Sequence, residues 1–373
     1  MEKNELLDKM AAGTMTRRDL NKALTAVGLA AVTVPFAPGR ARAAGEINYF
    51  TWGGYDIAEI HQPYLDKYGG APAYSLFGEE EEAMQKMRAG FTPDISHPCI
   101  NSVPRWYDAG ILQPIDISRI PSWPNIWDEL QDMKGSVVDG KNYFVPFDWG
   151  NSSILYRTDL VDPEYLEEET WGILLDERYK GRMAVYDSVD AIAGITGALI
   201  GAADAFNMTD AELVEARKVL EKIHGNMRFW WTDQTAVEQA LASGEMIAGY
   251  AWNSAVVTLK KEGIPIKYMN PKEGIGYWVC GLVRIANAPG SEDAAYDFIE
   301  AMLDPEAGRF LIDEYGYGHA NTKSFDLVSA ERLDALGISS PSALFAEGWL
   351  FDEIAPDIRE KLITMFEEVK AGF

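Results

Sequence analysis

Four histidines, two cysteines and an unusual set of tryptophans are the residues on which this sequence could build chemistry. The histidines His61, His97, His224 and His319 stand singly. His97-Pro98-Cys99 places two metal-ligating side chains close together, but no second close pair completes a tetrahedral set. The same residues could form a thiol–imidazole nucleophile, which needs a third group to orient the base. A thiol or metal enzyme using His97 and Cys99 therefore stays open as an alternative. The remaining enzyme templates fail: the sequence has no phosphate loop, no nucleophile elbow and no zinc helix. Gly316-Tyr317-Gly318 is too short for a dinucleotide fingerprint. The chain reads as a non-enzyme, with no catalytic residue, no metal site and no cofactor expected.

The aromatics point elsewhere. Of eleven tryptophans, Trp52, Trp149, Trp252 and Trp278 fall where a strand meets a turn, whereas Trp123, Trp127 and Trp171 read as core. Ligands of open α/β sheets lie outside the carboxyl ends of the strands. Aromatic faces there hold an alkyl chain and attract a cation, at ~0.5–2 kcal/mol per contact. The net charge of −25 repels nucleic acid and anionic lipid and speeds the encounter with small cations, though it also serves solubility. Aromatic strand ends on an acidic chain without a nucleophile describe a binder of small organic cations.

The elements that must position these residues alternate. Strand-like runs at 47–50, 73–77 and 94–96 interleave with helical patterns at 57–68 and from Gly78 onward. The latter helix carries Glu79, Glu80, Glu81 and Glu82 in its first turn and Lys86 and Arg88 late, as the helix dipole prefers. Residues 143–150 form an extended aromatic run with a proline, suited to crossing between lobes. Helices follow at 211–224 and 235–243, a strand at 249–252, a turn at 270–274, a buried strand at 276–285 and a helix at 293–303. This order predicts α/β lobes with mainly parallel sheets. No internal repeat or low-complexity linker separates them, so the lobes are expected to interweave.

The first 43 residues read as an export signal. Thr16-Arg17-Arg18-Asp19-Leu20-Asn21-Lys22 precedes a short apolar stretch at 23–36 and ends in Ala41-Arg42-Ala43. The paired arginines favour the twin-arginine route, which moves folded proteins. Cleavage after Ala43 would leave 330 of the 373 residues, and removing the leader's net +3 would deepen the charge to −28. The most apolar later stretch, 192–205, is short and holds three glycines and Asp204. Cys99 and Cys280 can form one bridge in an oxidising compartment if the fold brings their Cα atoms within about 7 Å.

Several segments together resemble one family. Phe50-Thr51-Trp52-Gly53-Gly54-Tyr55 looks like the Asn-Trp-x-x-Tyr start of mature spermidine/putrescine-type periplasmic binding proteins. Pro146-Phe147-Asp148-Trp149-Gly150, Tyr179-Lys180-Gly181, Gly249-Tyr250-Ala251-Trp252-Asn253, and Pro271-Lys272-Glu273-Gly274 running into Tyr277-Trp278 agree in order and spacing. Gly316-Tyr317 falls where that family has its late Gly-Tyr, so the resemblance spans nearly the whole mature chain.

The resemblance implies a two-lobe periplasmic binding protein fold of type II, with interwoven lobes joined by crossing strands. It implies a lobe of residues 44–146 and 278–322 and a second of 147–277 and 323–373. It also implies a monomeric, periplasmic component of an ABC importer that closes on a small organic amine and presents it to membrane permease subunits. Trp52 and Tyr55 match ligand contacts on the first lobe, Trp252 and Trp278 match aromatic walls, and Tyr317 a tyrosine near the ligand. Asp187 and Asp190 reproduce, with a one-residue shift, two acids that hold amines, and Cys99-Ile100-Asn101 stands in the region of a Ser-x-Tyr contact.

Cys280 departs from the family, whose polyamine binders carry an aspartate there to pair with an ammonium. Removing one partner of a buried pair typically costs ~3–5 kcal/mol. Either Glu79 to Glu82 or Asp148 take that role, or the ligand is a quaternary or zwitterionic amine of the choline, betaine or γ-aminobutyrate type. Strand alternation puts Arg284 on the face of Trp278 and Cys280, where it could meet a ligand carboxylate.

Overall fold

The computed structural model describes residues 46–336, 338–346 and 348–372, so the expected export leader and its cleavage site lie outside the described residues. The expected alternation of strands and helices is present. Asn48–Trp52 pairs in parallel with both Ala73–Phe77 and Ile95–Ser96. Met183–Tyr186 pairs in parallel with Ala248–Trp252 and with Met227–Trp231. Between these two parallel groups run two long antiparallel strands, Val145–Arg157 and Ile275–Ile285. The resulting path is Ala73–Phe77, Asn48–Trp52, Ile95–Ser96, Ile275–Ile285, Val145–Arg157, Ala248–Trp252, Met183–Tyr186, Met227–Trp231.

The two long strands are buried along almost their whole length. Ile275–Ile285 accordingly is apolar and aromatic nearly throughout, whereas Val145–Arg157 also buries Asp148, Asn151, Ser152 and Ser153. Ile275–Ile285 serves both groups. Its residues 276–282 pair with Val145–Arg157, while Val283 to Ile285 pair with Ile95–Ser96 and Leu112–Gln113. A bulge lies at the changeover: Cys280 faces Asp148 but Gly281 faces Pro146, leaving Phe147 unpaired. Such an irregularity is where a proline fits inside a sheet. Gly281 is required here, because a Cβ would fall 2.3 Å from the Val145 carbonyl oxygen.

One predicted helix is broken. Residues 57–68 form a 3₁₀ turn, Ala58–Ile60, and a helix, Gln62–Tyr68. Pro63 sits in the first turn of the helix, where its missing N–H needs no partner, and so marks a helix start and not an interior. The apolar stretch near residue 192 forms Val189–Ile200, ended by Gly201 at φ 68°. No helix among the described residues is long and apolar enough to cross a membrane.

Candidate functional site

The carboxyl ends of the parallel strands converge on one cavity of about 710 Å³. Trp52 ends one strand; Gly78, Glu79 and Glu80 follow Ala73–Phe77, and Cys99 and Asn101 follow Ile95–Ser96. From the other group come Tyr186, Ser188 and Asp190, then residues 232–234, then Trp252 and Ser254. This is where an α/β sheet places its ligands. Contacts cross the cavity from group to group: Tyr186 donates to the Gly78 carbonyl (2.7 Å), and Asn101 Nδ2 donates to Asp190 Oδ1 (3.0 Å).

Trp52, Tyr55, Cys99, Asn101, Asp190, Trp252, Trp278, Cys280 and Tyr317 all line this cavity. Asp187 does not; its carboxylate is held by Lys370 at 2.8 Å. Arg284 also lies outside it, bound to Glu292 at 3.0 Å and packed on the Tyr296 ring. Four residues of strand at ~3.3 Å each carry it about 13 Å beyond Cys280.

The aromatic walls are built by packing. Trp278 stands edge-on to Tyr317, with centroids 4.8 Å apart, and Tyr317 is anchored by Ser254 at 2.8 Å. The Trp278 ring lies over Gly150, its cross-strand partner, where a Cβ would fall 2.5 Å from the indole. Gly150→Ala should therefore displace the ring and cost about 1–3 kcal/mol of stability, as overpacking does. Urea unfolding checks this, and an unchanged midpoint would show that Trp278 has room to yield.

Six carboxylic acids line the cavity: Glu79, Glu80, Glu82, Asp190, Asp233 and Glu238. No lining residue among those described is Lys, Arg or His. Helix Glu80–Arg88 begins here with Glu79 as its N-cap, its Oε2 accepting from the Glu81 N–H. Glu80 Oε1 accepts from the Cys99 N–H at 2.6 Å. Burial, with the Asp190 charge second, pushes Glu79 up to about 8 and Glu80 up to about 7. Burial also raises Glu238, which is held by Gln234 at 3.1 Å. Asp190 is the opposite case. Burial pushes it up, but the charge and hydrogen bonds of Arg359 outweigh this and leave it below the usual range. Sequence reasoning missed Glu238 and Asp233. A signal existed in that they belong to the turn and helix after a parallel strand.

Cys99 and Cys280 face each other across an antiparallel bridge and form a disulfide in the cavity wall. Cys99 therefore has no free thiol, which removes the thiol-nucleophile alternative. His97 is fully buried, with Nε2 3.0 Å from Asp148 Oδ1, and is not a cavity-lining residue. Asp148, also fully buried, accepts from the Tyr55 hydroxyl as well.

The sequence model for bacterial extracellular solute-binding proteins matches residues 76–336, more than half of the chain. The chain belongs to that family. Among relatives of this solute-binding protein, the putrescine-binding periplasmic protein PotF of Escherichia coli strain K12 is 24% identical over 341 residues, covering 87% of this chain and 91% of the relative. Among solved structures, the spermidine/putrescine ABC transporter substrate-binding protein PotD of Streptococcus pneumoniae superposes with a TM-score of 0.70 at 20% identity, covering 88% and 99% of the two chains. The PBP MotA from A. tumefaciens B6, solved with glucopine, gives 0.67 at 18% identity over 87% and 99%. The solute-binding protein has the expected α/β, type II periplasmic binding protein fold.

Proposed function

We propose that this protein is the solute-binding component of an ABC importer that captures a small organic cation, with a polyamine such as putrescine or spermidine as the first choice. The observation that carries this reading is the cavity lining, with six carboxylic acids, ten aromatic side chains and no basic residue among those described. An alkylammonium gains from both features, through ring quadrupoles and through charge pairing. The names of the PotF and PotD relatives agree with the choice.

The cavity disfavours zwitterions. A ligand carboxylate of the γ-aminobutyrate or betaine type would meet acids and no basic partner, and Arg284 is engaged elsewhere. A quaternary cation of the choline type is the second reading. It is favoured by the neutral disulfide in the wall, which offers no carboxylate to a second ammonium.

We place the lobes at 44–146 with 278–322 and at 147–277 with 323–373, hinged on the two long strands. The bonds from Tyr186 to Gly78 and from Asn101 to Asp190 would then be the contacts made on closure. The twin-arginine signal at 16–22 would deliver the monomer to the periplasm, where the closed form engages the permease. Isothermal titration with putrescine, spermidine, choline and γ-aminobutyrate tests the ligand. Micromolar or tighter binding of a polyamine is expected, and no heat with either polyamine sinks that choice.

A further inference from the structure

The His97–Asp148 pair is left unused by the reading above, yet it stands directly behind the cavity. Asp148 lies in the crossing strand Val145–Arg157, opposite Cys280 on one side and His319 on the other. Its carboxylate is fully buried and accepts from Tyr55, a cavity-lining residue, and from His97. The groups packed around it supply little positive charge. Cys280 is in a disulfide. Burial pushes His319 down to about 4, and its nitrogens are taken by Ser324 and the Met302 carbonyl. Tyr55 and Tyr317 are held as neutral phenols, chiefly by burial, with the Asp148 charge adding to it. No Lys or Arg among the described residues pairs with Asp148. His97 Nδ1 lies 3.1 Å from both the Tyr49 and Thr51 hydroxyls. Both ring nitrogens of His97 are thus taken by buried partners, Asp148 at Nε2 and the two hydroxyls at Nδ1.

We propose that Asp148 is a specificity-determining residue, a buried anion that biases the cavity toward cations through Tyr55 without touching the ligand. This rests on the cation-binding reading. Tyr55 and His97 hold its carboxylate and no Lys or Arg among the described residues pairs with it, so in a low-dielectric surrounding its field reaches the cavity. The hydrogen bond to Asp148 also commits the Tyr55 hydroxyl as a donor away from the ligand and enriches its ring electronically, which strengthens the attraction for an ammonium.

The test is Asp148→Asn, which keeps an acceptor for Tyr55 and removes the charge. Titration with putrescine is expected to show a loss of about tenfold or more. The monocation 4-amino-1-butanol should lose less, so selectivity for the dication shrinks. The empty variant should keep or gain thermal stability, since a buried charge has gone. Nitrogen NMR of His97 in the wild-type protein should show the neutral Nε2–H tautomer at pH 7. Equal losses for both probes with a lower Tm would make Asp148 merely structural and overturn the proposal, as would an imidazolium at pH 7. If the wild-type protein binds neither amine, the cation-binding reading fails, while the NMR and Tm results still decide whether Asp148 is an uncancelled charge.

Discussion

Replacing Arg359 by methionine is expected to cost this protein about 3–5 kcal/mol of folding stability, the usual loss when one partner of a buried ion pair is removed. Arg359 lies on the C-terminal helix, Pro356–Ala371, and reaches Asp190 in the first turn of Val189–Ile200. Its two terminal nitrogens donate to the two carboxylate oxygens at 3.1 and 2.7 Å, and both side chains are only 7% exposed. A bidentate pair of this kind fixes geometry as well as charge. Without the guanidinium, Asp190 keeps only the Asn101 amide. It must then either stay charged with no paired cation, eased only by the field of Arg105, or take up a proton.

The pH dependence follows from that choice. In the folded wild-type chain Asp190 is depressed, so its stabilisation is present above the ordinary carboxylate value and is lost as pH falls through the folded one. In the variant the same carboxyl should rise, so the gap between the two proteins should narrow as pH is lowered toward 4. Adding Asp190→Asn to Arg359→Met removes the stranded charge and should recover most of the loss. Urea unfolding at pH 7.5 and 4.5 measures all of this. A single variant within about 0.5 kcal/mol of wild type at pH 7.5 would show that the pair is not what holds the helix to the cavity wall.

Asp190 also marks where sequence reasoning stopped. Its closeness to the cavity was legible only through the family resemblance, since Asp187 follows the same strand and lies outside the cavity. Its partner was not, because Arg359 is 169 positions away and the pair exists only through tertiary packing. The strand-end reading held for Trp52 and Trp252, which terminate parallel strands, but not for Trp149, which is fully buried inside Val145–Arg157 and outside the cavity. Trp278 lines the cavity from inside Ile275–Ile285. Arg284 shows the limit of strand alternation. It does share a face with Trp278 and Cys280, but the strand leaves the cavity before reaching it. The cysteines, 181 residues apart, meet because one long strand serves both groups of the sheet, a topological fact that spacing does not carry. The four glutamates at 79–82 looked like helix-dipole residues, and they are. Burial of Glu80 and partial burial of Glu79, which only the fold reveals, turn that local preference into a titrating site.

That site should make cation capture strongly pH-dependent, with affinity rising about 100-fold between pH 6 and pH 8. Glu79 and Glu80, at about 8 and about 7, retain protons near neutrality that free carboxylates would have lost. Burial comes first among the causes, then the repulsion from Asp190; the Arg105 charge and the N–H groups of Glu81 and Cys99 pull the other way without winning. In the empty protein the folded state therefore binds more protons than the unfolded chain between pH ~4.5 and ~8, so stability should fall as pH rises through that window. An alkylammonium reverses the balance by favouring the ionised form, and each carboxylate it discharges adds up to about tenfold in affinity per pH unit below its empty-state value. Titration of putrescine at pH 7 in buffers of different ionisation enthalpy should reveal protons released on binding. Glu80→Gln should flatten the profile below about pH 7.5 and Glu79→Gln below about pH 8.5, each weakening binding at pH 8 by about 10- to 100-fold. Affinity that does not change from pH 6 to pH 8, with no proton release, would place the ammonium elsewhere in the cavity and leave Glu79 and Glu80 as part of its wall.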